Sequence, residues 1–304
     1  MRRRAAAPTL AAAAVLLPSL ALGQAPDELA GRLVLGPDST SVPGQTVVLH
    51  RVTADTGMAV DSATTDPEGR FSFPLRGASG DVFVVSARYA GVLYFGPAVH
   101  GRSPSDDYRV AVYELREVGA SDTLRLASRA LVLTPGREDV SVTDVVQAAG
   151  APDRTLVGRI PLDERGAREP WWSLGLPEGA RSVTVLPGGI GARQVELTSG
   201  EARLSAPLPP TGVRVVLGYE VARGADLRLR SRHPVGHLEV VIRQDVPGVT
   251  VEGLEGPEDI TSGQRRYRRY SARRVEAGRT VTVAVAGAGT TGGVPRAVWI
   301  VAGL

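Results

Sequence analysis

Histidine is the residue type in this sequence that suits metal binding or proton transfer, and four are present: His50, His100, His233 and His237. His233 and His237 are four residues apart, the spacing of two zinc ligands on one face of a helix. Pro234 and Gly236 stand between them, however, and the flanking residues alternate as they do in strands. A loop metal site is the weaker alternative. We expect these histidines to lie in turns and strands, and we predict no metal and no cofactor.

Nucleophilic catalysis has little support in the sequence. Ser103, Ser105, Asp106 and Asp107 follow His100, but nearness in sequence does not assemble a catalytic triad. The Gly-x-Ser-x-Gly turn of many hydrolases is absent from the sequence. Residues 186–191 are glycine-rich, yet no helical pattern follows them to offer backbone N–H groups to a phosphate. We therefore predict no catalytic residues and expect that the protein is not an enzyme.

Two acidic residues near Gly69 allow either a calcium site or a tight turn. Asp66 and Glu68 could ligate calcium, but too few further oxygen ligands stand nearby. As a turn, Asp66 hydrogen-bonds the backbone two residues on, Pro67 presets φ, and Gly69 takes a positive φ. The residues after Gly69 alternate between apolar and polar, as in a strand with one buried face. The turn is the favoured interpretation.

A run of arginines and tyrosines, called the arginine run below, is the sharpest polar feature, and its members are Arg265, Arg266, Tyr267, Arg268, Arg269, Tyr270, Arg273 and Arg274. Guanidinium groups beside aromatic rings bind phosphates, lipopolysaccharide or acidic glycans. The alternative, which we favour, is a solvated edge strand whose charge discourages edge-to-edge aggregation. We retain residues 265–270 as candidate partner or glycan contacts.

The adjacent tryptophans Trp171 and Trp172 are the second candidate contact. Neighbouring residues of a strand face opposite ways, so one ring can fill the core while the other meets solvent, a partner or a domain interface. An exposed ring could stack on a sugar. Covering a domain interface is the favoured interpretation.

The first 25 residues predict a signal peptide, because a basic start at Arg2–Arg4 precedes an apolar run and small residues near Gly23 and Ala25. Cleavage is expected after one of those two residues. The protein is then exported, and it is periplasmic, on the outer surface or secreted. Cysteine is absent, which excludes disulfides, thiolate metal sites and a lipid-anchored lipoprotein.

Charge argues against nucleic acid as a partner. The whole chain carries 35 basic and 32 acidic residues. Three of the basic residues and none of the acidic ones lie in the signal peptide, which leaves 32 of each sign in the mature chain. Beyond the signal peptide, no segment has the roughly 18 apolar residues that a membrane helix needs. We expect no transmembrane helix in the mature chain and leave peripheral membrane contact open.

The element pattern predicts an all-β protein. Between residues 29 and 117 about seven short strands follow one another with turn signals between them, as in an antiparallel sandwich. A second all-β region is expected over 122–286, as one larger sandwich-like domain or two smaller ones. A Gly/Thr-rich linker and an apolar tail occupy 287–304. The mature chain of about 280 residues suits two domains of ordinary size.

Three stretches of the first region carry a family resemblance: Gly31-Arg32-Leu33-Val34, the segment 42–49, and Thr65-Asp66-x-x-Gly69-x-Phe71-x-Phe73. They resemble the carboxypeptidase regulatory-like domain, and 84–94 resembles its next strand pair. The resemblance implies a transthyretin-like β-sandwich, related to starch-binding-like folds, in an accessory module without catalytic residues. It covers about 85 residues.

These features together predict an exported, non-catalytic accessory or interaction protein of the cell envelope. The expected partner is an envelope protein, bound through sheet edges, the tryptophan pair and the arginine run. Carbohydrate binding is the alternative, motivated by the fold resemblance and by the tryptophans.

Overall fold

A computed structural model gives the fold of residues 28–53, 57–78, 80–100, 105–119, 122, 124–136, 138–159, 169–244 and 249–285. Short strands with alternating burial dominate these ranges, because valine and leucine recur at every second position. The first nine strands are β1 (Glu28–Leu35), β2 (Thr40–Ser41), β3 (Thr46–Val52), β4 (Gly57–Thr64), β5 (Arg70–Pro74), β6 (Val82–Tyr89), β7 (Val92–Phe95), β8 (Val99–His100) and β9 (Ser105–Val112).

These nine strands form two sheets. One has the order β2-β1-β5, with β9 also paired to β1, and the other has the order β4-β3-β6-β7, with β8 also paired to β6. The expected antiparallel arrangement describes all of these pairs except β1–β9, which is parallel. Turn signals in the sequence define hairpins between neighbouring strands. They carry no information on how strands about seventy residues apart pair, so the parallel pair β1–β9 was not predicted.

The inward-facing residues of both sheets form the core of the first sandwich. Phe71 and Phe73 of β5 pack near Tyr108 of β9, and Leu49 and Phe83 come from the opposite sheet. All five side chains are buried. The alternation of apolar and polar residues after Gly69 therefore produces a strand with one buried face, as the sequence predicted.

The remaining strands follow along the chain, and most of them contribute side chains to a second hydrophobic core. They are β10 (Leu115–Glu117), β11 (Arg125–Pro135), β12 (Asp139–Ala149), β13 (Thr155–Val157), β14 (Trp172–Gly175), β15 (Arg181–Val185), β16 (Val195–Thr198), β17 (Glu201–Leu204), β18 (Val213–Ala222), β19 (Asp226–Arg230), β20 (Val235–Arg243), β21 (Val249–Glu252), β22 (Glu255–Ser262), β23 (Arg265–Val275) and β24 (Thr280–Val285). A 3-10 turn, Ala192–Gln194, precedes β16.

A seven-stranded sheet forms one layer of this second sandwich, in the order β15-β18-β12-β11-β20-β23-β22. Two three-stranded sheets, β14-β17-β16 and β19-β24-β21, contribute to the same core. The fold class is therefore all-β with two sandwich-like units, as the sequence predicted. The all-β pattern expected after residue 122 corresponds to the strands β11 to β24.

The two sandwiches touch through a short parallel pair, β10 with β13. Beside it, the Tyr94 hydroxyl and the Thr155 hydroxyl are 2.8 Å apart in a buried hydrogen bond. The Thr155 backbone N–H also donates to the Glu114 carbonyl at 2.9 Å. Within the described ranges, no helix has the length and hydrophobicity to span a membrane.

Candidate functional site

Three of the four histidines have separate structural partners. His233 Nε2 lies 2.8 Å from the Ser173 carbonyl, so this nitrogen carries the proton, and burial lowers the pKa of the ring. His237 Nε2 lies 2.6 Å from Glu239 Oε1, and His50 Nε2 lies 2.7 Å from the Ser86 hydroxyl. Among the described residues, no group of three or more His, Asp and Glu side chains could hold a metal.

The structure describes only some of the serine and aspartate side chains that follow His100. Ser103 lies outside the described residues, and the side chains of Ser105 and Asp106 do too. Asp107 has an arginine partner, Arg109, at 3.0 Å. No triad can be built from what the structure describes here.

The carboxylate of Asp66 is occupied by the turn itself. Its Oδ1 accepts hydrogen bonds from the backbone N–H groups of Glu68 at 3.0 Å and Arg70 at 2.7 Å. The Gly69 N–H donates to the Asp66 carbonyl at 2.9 Å, with Gly69 at φ +73°. These bonds are those of a structural turn, which is the interpretation that the sequence favoured.

The tryptophan pair is mostly inside the second sandwich. Trp172 is buried at 6% exposure, and Trp171 is half-buried and packs against the same core. Both indole N–H groups donate to the Ala206 carbonyl, at 3.2 Å for Trp171 and 3.4 Å for Trp172. One ring fills the core as expected. Trp172 presents no face on which a sugar could stack, and only Trp171 keeps an accessible part.

The arginine run lies on β23, which is not an edge strand. β20 pairs with it on one side and β22 on the other, so the favoured expectation of an edge position was wrong. The sequence of β22 is acidic and carries a proline, features that hid its strand character. β15 and β22 are the two edge strands of this sheet. Acidic residues of β22 lie opposite arginines of β23.

Neutralisation by neighbours limits what the arginine run can bind. Arg269 forms ion pairs with Glu258 of β22 and with Glu239 of β20, and its hydrogen bond to Glu258 raises the pKa of its guanidinium. Tyr267 and Tyr270 are buried at 6% and 7% exposure. Arg265 and Arg266 remain exposed and line a pocket of about 510 Å³ with Gln264. The candidate contacts therefore divide into structural and accessible members.

A buried ion pair in the second sandwich escaped the sequence analysis. Arg129 of β11 donates from Nε to Asp144 Oδ1 of β12 at 3.0 Å, and both side chains are fully buried. Arg129 Nη2 also reaches the Gly175 carbonyl of β14 at 2.9 Å, and Tyr219 O–H donates to Asp144 at 3.3 Å. Apolar residues alternate along both strands, and Arg129 and Asp144 occupy positions of the apolar face. That alternation is the sequence signal that could have revealed them. The network joins the two layers of the sandwich.

Exposed large hydrophobic side chains concentrate on one sheet of the first sandwich. The described chain has six, and five of them lie on β3, β4 and β7: Val52, Met58, Val60, Leu93 and Phe95. β4 and β7 are the two ends of the strand order β4-β3-β6-β7, so each has one side without a paired strand among the described residues. The sixth, Leu197, lies on β16 of the second sandwich.

A cleft of about 1000 Å³ runs between the two sandwiches along β7. The first sandwich contributes β7 with Arg88 and the outward side of β9, and the second contributes the 3-10 turn and the start of β18. Four arginines line it, and no aspartate or glutamate is among the described lining residues: Arg88, Arg109, Arg193 and Arg214. Sequence reasoning missed this cleft because its arginines lie far apart along the chain.

Comparison with known proteins gives little. No family model and no curated protein matches the chain. Among solved structures, the full-length major pilin SpaD from Corynebacterium diphtheriae aligns at 12% identity and a TM-score of 0.20, covering 85% of this chain and 81% of that chain. A likeness at this TM-score carries no argument about fold or function.

Proposed function

We propose that this chain is an exported, non-catalytic accessory protein of the cell envelope that binds a partner protein through the open strand edges of its first sandwich. The observation that carries this proposal is the concentration of exposed hydrophobic side chains on one sheet, with Met58 and Val60 on edge strand β4. Exposed apolar clusters mark interaction sites on soluble proteins, and an open edge offers backbone groups to an added strand.

Capture of the partner by crosslinking tests this proposal. A photo-reactive side chain on β4, in place of Ala59, is activated in the envelope of the producing cell. The wild-type chain and the variant Leu197→Ser should crosslink to the same protein, and Met58→Ser/Val60→Ser should lose at least most of that crosslink. Leu197 is the matched control because it is an exposed hydrophobic residue on the other sandwich. A crosslink that is absent, or unchanged in the β4 variant, would contradict the proposal.

Export is part of the same proposal, and the basic and apolar segments of residues 1–25 support it. N-terminal sequencing of the protein from the producing cell should find a chain that begins at Gln24 or Pro26. An uncleaved chain in the cytoplasm would contradict export.

The division into domains and the family resemblance also stand as proposals. Separate hydrophobic cores support a first domain over 29–117 and a second over 122–286. The resemblance of the first domain to the carboxypeptidase regulatory-like domain is supported by where its motif residues fall, since Gly31 lies on β1 and Phe71 and Phe73 lie on β5 after the turn.

Carbohydrate binding is the second candidate, and the accessible part of the Trp171 ring is the observation that supports it. If it is right, a glycan array should show binding that Trp171→Ala abolishes. Because Trp172 is in the core, its replacement would lower stability and is a poor test of stacking. The absence of any glycan signal would remove this candidate.

A further inference from the structure

The cleft between the sandwiches, defined above by β7 and four arginines, has a charge pattern that the protein does not satisfy by itself. The side chains of Arg88, Arg193 and Arg214 form no ion pair and no hydrogen bond among the described residues. The fourth arginine, Arg109, pairs with exposed Asp107 at 3.0 Å. A guanidinium group binds carboxylates through a planar pair of N–H donors, so this lining selects an acidic ligand.

The second feature of the cleft is an open strand edge. β7 pairs with β6 through Ser86 and Phe95 at one end and Tyr89 and Val92 at the other. Its other side has no paired strand within the described ranges, and the whole strand lines the cleft. Backbone N–H and C=O groups spaced along an edge recognise the repeating N–H and C=O groups of an extended peptide. A glycan lacks that repeat.

The third feature is the alternation along β7. Tyr94 points into the first core, and its hydroxyl donates to the Tyr113 carbonyl at 3.1 Å, which holds the strand in place. Leu93 and Phe95 face outward at 43% and 58% exposure. A strand added beside β7 would therefore find apolar contacts on one face, with cationic groups from both sandwiches around it.

We propose that the cleft binds an extended, acidic peptide segment of a partner protein, which adds as a strand to β7 while its carboxylates pair with Arg88, Arg193 and Arg214. This deepens and rests on the proposed function, since it names the chemistry of a protein partner and a second open edge of the same sheet. The four residues of β7 span about 13 Å, which sets the bound segment at about four to six residues.

The test uses the mature chain and a fluorescent eight-residue peptide that alternates glutamate with valine, followed by anisotropy. Arg193→Ala/Arg214→Ala should weaken binding about tenfold or more, because charge-assisted hydrogen bonds are lost. Arg125→Ala/Arg230→Ala is the matched control, since it removes two exposed arginines that do not line the cleft and should leave the affinity unchanged. Equal weakening in both variants would overturn the proposal in favour of a general charge effect.

Two modified peptides and one glycan separate the remaining explanations. Replacing glutamate by glutamine should weaken binding because the carboxylates are lost, and N-methylation of every second backbone nitrogen on the β7 side should weaken it because the strand pairing is lost. Undiminished binding of either peptide would overturn the proposal. Oligogalacturonate, an acidic glycan, should compete poorly, and tighter binding than the peptide would assign the cleft to glycans instead.

The two proposals fail in different ways. Crosslinking that depends on Met58 and Val60, together with no peptide binding in the cleft, would leave the proposed function standing and overturn the cleft assignment alone. No crosslink from Ala59, or a crosslink that Met58→Ser/Val60→Ser leaves unchanged, would overturn the role of β4, and normal peptide binding beside it would support the cleft.

Discussion

At the scale of single residues, the most consequential feature is the pair of charges inside the second core. Arg129 and Asp144 are both essentially without solvent exposure. Burial opposes the charge on Arg129, yet the attraction and hydrogen bonding of Asp144, with a contribution from Tyr219, together outweigh it and raise the pKa of the guanidinium. Burial also raises the pKa of the Tyr219 phenol well above its ordinary value, so its proton stays available for donation to Asp144.

Removal of one partner of this pair should be costly. Arg129→Met leaves the Asp144 carboxylate buried without its main partner, and we expect a loss of about 3–5 kcal/mol in the free energy of unfolding. The double variant Arg129→Met/Asp144→Leu should recover a large part of that loss. Urea denaturation measures both. The control is Arg181→Met, which breaks the exposed ion pair with Asp139 and should cost less than about 1 kcal/mol. Equal losses at the two sites would contradict the argument.

A second residue-scale prediction concerns His233. Because burial lowers its pKa below the ordinary 6.5, the folded protein holds fewer protons than the unfolded chain at mildly acidic pH. The stabilisation from this group is complete above pH 6.5 and declines as the pH falls toward the lowered pKa. His233→Gln keeps a donor for the Ser173 carbonyl and does not titrate. Thermal melting between pH 7 and 5 should therefore depend less on pH in the variant, and identical profiles would contradict the assignment.

At the scale of elements, the turn between β4 and β5 depends on a glycine with two constraints. Gly69 has φ +73°, and a Cβ atom there would lie 2.7 Å from the Leu33 carbonyl oxygen. Gly44 has a similar φ of +67° but nothing within 4 Å of the position of a Cβ atom. The two sites therefore separate backbone strain from steric contact.

Alanine at these two glycines should give unequal costs. We expect Gly69→Ala to lower the free energy of unfolding by about 2 kcal/mol or more, because strain and a backbone contact add. Gly44→Ala should cost about 1 kcal/mol from strain alone. Denaturant titration of both variants checks the difference, and equal costs would contradict the prediction because they would mean that a small shift relieves the contact at Gly69.

At the scale of the whole molecule, two cores with few direct links predict partly independent unfolding. Phe83 lies in the first core and Leu204 in the second, and both are fully buried. The links described between the sandwiches include the pair β10–β13 and the hydrogen bond between the Tyr94 and Thr155 hydroxyls. Interfaces of this limited kind leave domains able to unfold separately.

Calorimetry of core variants tests that independence. Phe83→Ala should destabilise the first sandwich by about 3–5 kcal/mol and Leu204→Ala should destabilise the second by about 2–5 kcal/mol. Each variant should move one of two heat-absorption peaks and leave the other within about one degree. A single peak that moves in both variants would mean that the chain unfolds as one cooperative unit.

Much of the fold could be predicted from local pattern. The Asp66–Gly69 turn and the strands around it follow from turn chemistry and period-two alternation, both of which act between residues near in sequence. The same alternation predicted the position of the arginine run on a strand. It could not reveal the acidic strand β22 beside that run, because proline and clustered charge disguise strand character.

The candidate sites could not be predicted in this way, because they combine residues that are far apart in sequence. Arg88, Arg109, Arg193 and Arg214 line one cleft although more than a hundred residues separate the first from the last, and Arg129 meets Asp144 only because β11 and β12 pair. Local sequence determines strands and turns because backbone preference and side-chain alternation are short-range properties. Tertiary structure alone decides which charges lie together, since strand pairing and the placement of the two sandwiches arise from long-range burial of apolar surface.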